Sequence, residues 1–310
     1  MTTSAKLGLL MAFAAIMMIS CNQESVVSES NPQVTNHQVS ISLFDQAMGN
    51  IGSGTRADVS RTLKSSKIFS ELEVALIPIG NETDSGYVIR QDSIDKKFGT
   101  VELEVPAGDY HMVAIAAATK TPLKERITIK SNTEVRFPED KVTDMVYAYK
   151  DITVTNSSST EKQSFAASLV RAVSCFQLAS TDYPPSNLAY QEIEMTGSCG
   201  YVFNPSTGKC KEEASCYRKF SIDPLQYKDK TLIFKLYTIP SGDALSKVKV
   251  TAKAIGVNGN TIRSCSFDDV TLEIGKYTRY TGPVFTNDNK VSFVVNSPEW
   301  ENSEYSRDFN

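Results

Sequence analysis

The chain has 310 residues, 41% of them hydrophobic, with 32 basic and 36 acidic side chains and a net charge of −4, enough to bury two domain-sized cores. Lacking a surplus of clustered Lys and Arg, it is not built to hold the phosphates of nucleic acid. Six cysteines and two histidines include no Cys-x-x-Cys, and neither His37 nor His111 lies near a cysteine in sequence, which argues against zinc.

Met1–Cys21 decides where the rest of the chain must work. Lys6 precedes Leu7–Ile19, thirteen uncharged apolar residues, and Ser20 places a small residue directly before Cys21. A membrane helix needs about 20 apolar residues, so the run is read as a cleaved export signal of residues 1–20. A small residue before a cysteine resembles a bacterial lipoprotein signal, which implies diacylglycerol on the Cys21 thiol and Cys21 as the first mature residue. The competing readings are secretion with a cut at Ala12-Phe13-Ala14, or a Cys21 that merely pairs with another thiol. The leader carries only Lys6, so the mature chain has 31 basic against 36 acidic residues. A single acyl chain holds a protein weakly to a membrane and two or three hold it stably.

Residues 21–36 are polar and without apolar period, a flexible tether. From Val39 the period becomes two: Val39, Ile41 and Leu43 alternate with Ser40, Ser42 and Phe44, a strand with one apolar face. Met48–Arg61, broken by Gly49, Gly52 and Gly54, is expected to be a long exposed loop. Strands are predicted at Leu72–Leu76 and Val101–Val105. Pro106-Ala107-Gly108-Asp109 makes a tight turn into Tyr110–Ala118, whose nearly continuous apolar run predicts burial on both faces. Short strands follow at Ile127–Ile129, Glu134–Phe137, Met145–Tyr149 and Ile152–Thr155.

Asn156–Thr160 is the expected linker. Phe165–Leu178 is long enough for a helix, but Val170, Val173, Cys175 and Phe176 favour strand. After the Pro184-Pro185 loop, strands are predicted at Gln191–Met195, Tyr201–Phe203, Leu232–Ile239 and Val248–Ala254. Asn258-Gly259 is the strongest hairpin signal in the chain, and Val270–Ile274, Tyr277–Phe285 and Val291–Val295 complete the series. The pattern predicts an all-β protein of two tandem sandwiches, residues 37–155 and 156–310. Beyond Cys21 the cysteines are odd in number: Cys175, Cys199, Cys210, Cys216 and Cys265. Cys199, Cys210 and Cys216 crowd one loop-like stretch, so a local bridge is expected there with its connectivity open. Cys175 is equally readable as a buried free thiol.

Val101–Ala116 (VELEVPAGDYHMVAIA) resembles the strand-turn-strand of transthyretin-like bacterial sandwiches. Ser168–Leu178 (SLVRAVSCFQL), Pro184–Asn187, Tyr201–Gly208 (YVFNPSTG) and Gly275–Phe285 (GKYTRYTGPVF) follow in that order. Together with the leader they resemble the Bacteroidota fimbrillin-associated lipoproteins of the minor-subunit or anchor type. The resemblance implies two transthyretin-like domains and assembly with other fimbrial subunits by strand exchange. In the polymerising members an arginine-specific protease removes the first strand, which here would be Val39–Leu43 with the cut at Arg56 or Arg61, and a partner's C-terminal strand fills the groove; anchor-type members keep their lipid and seat the fibre in the outer membrane. It also implies attachment to the outer membrane through lipid, surface exposure and a place in the fimbrium. Both arginines are equally readable as solvated loop residues. Only Tyr305 and Phe309 are large and apolar after Trp300, a poor donor strand, which favours an anchor or terminal subunit.

Searches for chemistry point away from an enzyme and from any cofactor. His37 lies at the edge of the tether and His111 among apolar strand residues, both better read as structural. Gly49–Thr55 lacks the lysine and spacing of a phosphate loop. Glu102 and Glu104 share a strand face as solvated carboxylates do, Asp268-Asp269 lacks calcium-loop spacing, and Trp300 is read as a core plug. The alternative function is a surface lipoprotein that captures glycan for a nutrient-uptake system, for which the thirteen tyrosines would supply the aromatic face.

Overall fold

The structure is a computed structural model that describes residues 35–45, 61–81, 85–119, 126–156, 162–242, 245–286 and 294–296. The leader, the tether before Thr35, most of the expected 48–61 loop and linker, and Trp300 with the tail therefore lie outside the described residues. In chain order the first half forms β1 (Asn36–Asp45), β2 (Arg61–Thr62), one helical turn α1 (Leu63–Ser66), β3 (Glu71–Pro78), β4 (Tyr87–Asp92), β5 (Thr100–Pro106), β6 (Gly108–Ala117), β7 (Thr128–Ser131), β8 (Glu134–Arg136), β9 (Met145–Val154) and β10 (Gln163–Arg171). The second half forms β11 (Ser174–Ser180), β12 (Leu188–Gly197), β13 (Cys199–Gly200), β14 (Phe203–Asn204), β15 (Lys209–Cys210), β16 (Cys216–Ser221), β17 (Ile233–Pro240), β18 (Leu245–Gly256), β19 (Thr261–Glu273), β20 (Tyr277–Gly282) and β21 (Val294–Asn296). The all-β expectation is met.

The first sandwich is one path of strands, β2-β1-β10-β9-β6-β3-β4, with β5 also against β1. β10 meets β9 only through Val170–Tyr147 and Arg171–Val146, so the path folds there into two layers. Val39, Ile41, Val101 and Leu169 from one layer pack on Leu72, Val74, Met112, Ala114 and Val146 from the other. The β5–β6 turn is closed by the Tyr110 hydroxyl, which donates to the Pro106 carbonyl at 2.9 Å.

β6 is buried on both faces, as its unbroken apolar run predicts. Met112, Ala114 and Ala116 face the first core. Val113, Ile115 and Ala117 face a second one, built with Ile129, Val135, Phe203, Tyr237 and Tyr277. That second core belongs to both halves of the chain. A small sheet of order β15-β14-β8-β7 likewise takes strands from each. The far sandwich stacks the sheet β13-β17-β11-β20-β21 on β16-β12-β18-β19, around Phe176, Ile193, Phe234, Val250 and Leu272. Asn258-Gly259 does turn a hairpin: Gly259 takes φ +80° and its N–H donates to the Gly256 carbonyl at 2.9 Å.

Three expectations change. Met145–Tyr149 and Ile152–Thr155 are one strand, because Lys150 and Asp151 keep their register against Met112 and His111 of β6. Tyr201–Phe203 is strand only from Phe203. The segment after the expected linker does not open the second sandwich, since β10 runs parallel to β1 from Gln163 to Leu169. The passage between sandwiches falls at Ala172-Val173, both fully buried.

Arg171, the last residue of β10, fixes that passage. Its Nε and Nη2 donate to Asp144 Oδ1 and Oδ2 at 2.7 and 2.9 Å, and the two side chains are only 5% and 1% exposed. A fork-on-fork pair is strong where water is excluded, yet each partner alone is a buried charge. Two further carboxylates are buried on β3. Glu73 accepts from the Ile129 backbone N–H at 2.8 Å and from Arg90 at 2.6 Å. Glu71 is pushed up to about 7, chiefly by burial and slightly by Glu73, while the Ile127 N–H, Thr119 and Arg126 lean the other way.

Asp144→Ala, which strands Arg171 without its counter-charge, is expected to cost about 3–5 kcal/mol in denaturant unfolding. Glu71 gives a pH dependence. A carboxyl whose folded value lies above its unfolded one favours the fold fully below about pH 4.5 and loses that contribution as pH rises through about 7. Stability should therefore fall by on the order of 3 kcal/mol between pH 5 and pH 9. Glu71→Gln should remove most of that fall, as read from urea midpoints at the two pH values.

Candidate assembly surface

The sequence marks β1 as the strand to be exchanged, and its setting defines what an exchange would involve. β1 lies between two neighbours along nearly its whole length. Val39–Asp45 pair in parallel with Gln163–Leu169 of β10, and Asn36–Ser42 pair antiparallel with Thr100–Pro106 of β5. Its apolar side chains, Val39, Ile41 and Leu43, are 0%, 0% and 2% exposed. Burying three such side chains is worth on the order of 5–9 kcal/mol, comparable with the whole stability of an ordinary domain.

The end of β1 is shaped by α1 and the loop before β5. The Leu43 N–H donates to the Gly99 carbonyl at 2.8 Å. Gly99 takes φ +97°, and a Cβ there would meet the Leu63 Cβ at 3.1 Å, so only glycine suits both the backbone and the contact. On the outer face an ion pair spans β1. Glu102 of β5, opposite Ser40, accepts from Lys162 at the root of β10 and from Lys97, each at 3.0 Å. These two lysines hold the Glu102 carboxyl below its ordinary range. The pair ties together the two strands that flank β1.

Of the residues singled out in sequence, Cys21 and Arg56 lie outside the described residues. Arg61 is not in a loop: its backbone pairs with Asp45 as the start of β2, because Phe44–Thr62 and Asp45–Arg61 continue the sheet edge. His37 is buried in β1. His111 stacks on Tyr149, and its Nδ1 meets Asp151 Oδ1 at 2.6 Å and the Tyr149 hydroxyl at 3.0 Å. Glu102 and Glu104 are exposed, as expected of a solvated strand face. Cys199, Cys210 and Cys216 are brought together on β13, β15 and β16, and stand as free thiols, as do Cys175 and Cys265. Among the described residues no helix is long and apolar enough to cross a membrane.

A family model described as fimbrillin-A associated anchor proteins Mfa1 and Mfa2 matches residues 80–306. The chain belongs to this fimbrial anchor family. It is accordingly a fimbrial subunit, a component of an adhesive surface structure. Solved structures similar to it include the fimbrial anchor protein Mfa2 from Porphyromonas gingivalis, at 12% identity and TM-score 0.49, covering 86% of this chain and 98% of that one. A candidate adhesin from Bacteroides thetaiotaomicron is similar at 10% identity and TM-score 0.47, covering 86% and 97%. Another from Bacteroides ovatus is similar at 12% identity and TM-score 0.46, covering 81% and 88%. No curated protein matches.

Sequence reasoning found β1 and read the segments of β5 and β10 as strands, but missed that they pair with β1. β10 carried a usable signal, since Phe165, Ala167 and Leu169 alternate with Ser164, Ala166 and Ser168, but a parallel partner 124 residues downstream (Val39 with Gln163) leaves no local mark. The Glu102–Lys162 link is equally non-local.

Deleting Asn36–Asp45 is expected to lower the melting temperature by at least about 10 °C, given the burial above. A synthetic Asn36–Asp45 peptide added in trans should recover part of the loss, and the same peptide carrying Ile41→Lys should not. An unchanged melting temperature in the deletion variant would show that β1 contributes nothing to the sandwich.

Proposed function

We propose that the chain is a lipid-anchored fimbrial subunit of anchor or terminal type, held in the outer membrane by acyl chains on Cys21 and exposed at the surface. In this reading it docks other fimbrial subunits by β-strand addition and performs no reaction. Membership of the anchor family supports the fimbrial role, and the Lys6–Cys21 signal supports the lipid.

The observation that carries the strand-addition reading is the place of β1. A ten-residue strand, Asn36–Asp45, is the first described element, yet it sits in the interior of its layer with a neighbour on each side. Removing it would leave backbone donors and acceptors of β5 and β10 open above an apolar trough lined by Val101, Leu169 and Val74, which is the setting in which a partner strand binds. A cut at Arg56 or Arg61 would release β1 together with Cys21 and its lipid, so a subunit that stays anchored keeps β1 and only a subunit that leaves the membrane would exchange it. The Glu102–Lys162 pair would hold the two walls in register while the trough is empty.

Cys21→Ala should move the protein from the membrane fraction to the soluble envelope fraction, measured by cell fractionation and blotting, and fimbrial subunits should co-purify with the wild-type chain from membranes. A variant that stays in the membrane fraction would count against lipid anchoring. Co-purification with a porin-type transporter in place of fimbrial subunits would favour the glycan-capturing role.

A further inference from the structure

Three cysteines converge on Gly200. Cys199 and Cys216 are buried in the core of the far sandwich, and their sulfurs approach one acceptor, the Ala214 carbonyl, at 3.9 and 3.8 Å. The two thiols lie within hydrogen-bonding reach of each other. Cys216 Sγ also meets Thr238 Oγ1 at 3.1 Å, and that hydroxyl donates to the Gly200 carbonyl at 3.0 Å. Cys210 is half-buried on the other side of the turn, where a Cβ on Gly200 would meet its sulfur at 3.3 Å. Among the described residues no group of three or more His, Cys, Asp and Glu side chains is placed to hold a metal ion.

Cys199 and Cys216 are chemically unequal. The neighbouring Cys216 sulfur and burial push the Cys199 thiol far above the usual range. Cys216 is held below it, chiefly by its hydrogen bond with Cys199.

The chain between the two cysteines joins the sandwiches. It carries β14 and β15, which extend the β7–β8 hairpin through Phe203 paired with Val135. The Phe203 ring meets Tyr147 of β9 edge-on at 4.8 Å, Lys211 pairs with Glu134 of β8, and Gly208 lies where any Cβ would collide with the Tyr147 hydroxyl. Both ends of this strap meet at Cys199 and Cys216.

We propose that Cys199 and Cys216 are joined by a disulfide that closes the base of the strap, leaving Cys210 as the free, half-exposed thiol. The proposal rests on the extracytoplasmic location argued above, where thiols oxidise. The oxidant is a dithiol–disulfide exchange protein. One cysteine of the pair attacks, as its thiolate, one sulfur of the oxidant's disulfide, and the oxidant's other sulfur leaves as thiolate. The second cysteine, as its thiolate, then displaces the oxidant from the mixed disulfide. Two electrons and the two cysteine protons pass to the oxidant, which departs as its dithiol. Because both cysteines are buried in the folded chain, exchange precedes closure of the strap.

The test uses the full chain, purified from membranes in detergent with its thiols blocked at lysis by N-ethylmaleimide, and non-reducing peptide mapping. The expected product is a Cys199–Cys216 linked peptide with Cys175, Cys210 and Cys265 blocked. Dithiothreitol should then lower the melting temperature by about 5–10 °C, and Cys210→Ser should leave both linkage and melting temperature unchanged. In parallel, reduced chain is reoxidised in a glutathione buffer containing subdenaturing urea. Linkage there supports the pairing wherever the cell keeps the protein, so reduced thiols in the cell-derived sample alone would count against the location. A bridge that includes Cys210, or Cys199 and Cys216 both still blocked as free thiols after reoxidation, would overturn the proposal.

Discussion

The fold depends on one sheet having two apolar faces. β3, β6 and β9 are covered on one side by β1, β5 and β10, and on the other by the joint core that contains residues of both sandwiches. A strand buried on both faces cannot alternate apolar with polar, which is why β6 reads Met112-Val113-Ala114-Ile115-Ala116-Ala117. It also means that the second sandwich is not a bead on a string. Without it, Val113, Ile115, Phe137 and Met145 would face water, and exposing such side chains costs about 1.5–3 kcal/mol for each large one. Two charged side chains at the seam find partners there, Arg171 in Asp144 and the Arg218 Nη2 in the Val142 carbonyl at 3.0 Å.

That shared sheet lets β1 be deeply bedded and still separable. β1 contacts only the first core; none of its residues enters the joint one. The strands that bind the sandwiches together, β6, β9 and the end of β10, stay connected whether or not β1 is present. Loss of β1 would therefore open one side of one sandwich and leave the seam intact. A strand for exchange has to satisfy both conditions: enough buried surface that a replacement binds firmly, and no duty in holding the remaining fold together.

Legibility in the sequence followed the range of the interaction. Val39-Ser40-Ile41-Ser42-Leu43, the Pro106–Gly108 turn, the Asn258-Gly259 hairpin and the solid apolar run of β6 are all set by neighbours within ten residues, and each was read correctly. Glu71 and Glu73 alternate with Leu72 and Val74 as a solvated face should, yet they are buried because β7, some fifty residues later, covers that side (Ile129 donates to Glu73). Lys150-Asp151 looks like a break, but pairing with His111 and Met112 carries β9 straight through. The polar Asn156–Thr160 stretch looks like a domain boundary, yet the strand after it returns to lie beside β1. The leader and Cys21 are the reverse case: their chemistry is legible in sequence alone.

The direction of β1 bears on how load would pass through the fold if the subunit is held by its N-terminus as proposed. The first described strand begins at Asn36, which sits opposite Pro106 beside the β5–β6 turn. β6 and β9 run from that end, where Gly108 meets Val154, to the seam, where Ala117 meets Met145. The chain thus enters at the end of the first sandwich remote from the second. Tension applied through the N-terminus acts along β1, while its ladder bonds to β5 and β10 lie across it. Such a pull loads the ladders on both sides together, so that no single hydrogen bond opens first as it would at a peeled edge. A strand placed at the sheet margin would be unzipped one pair at a time; the interior position of β1 is the arrangement that a load-bearing attachment requires.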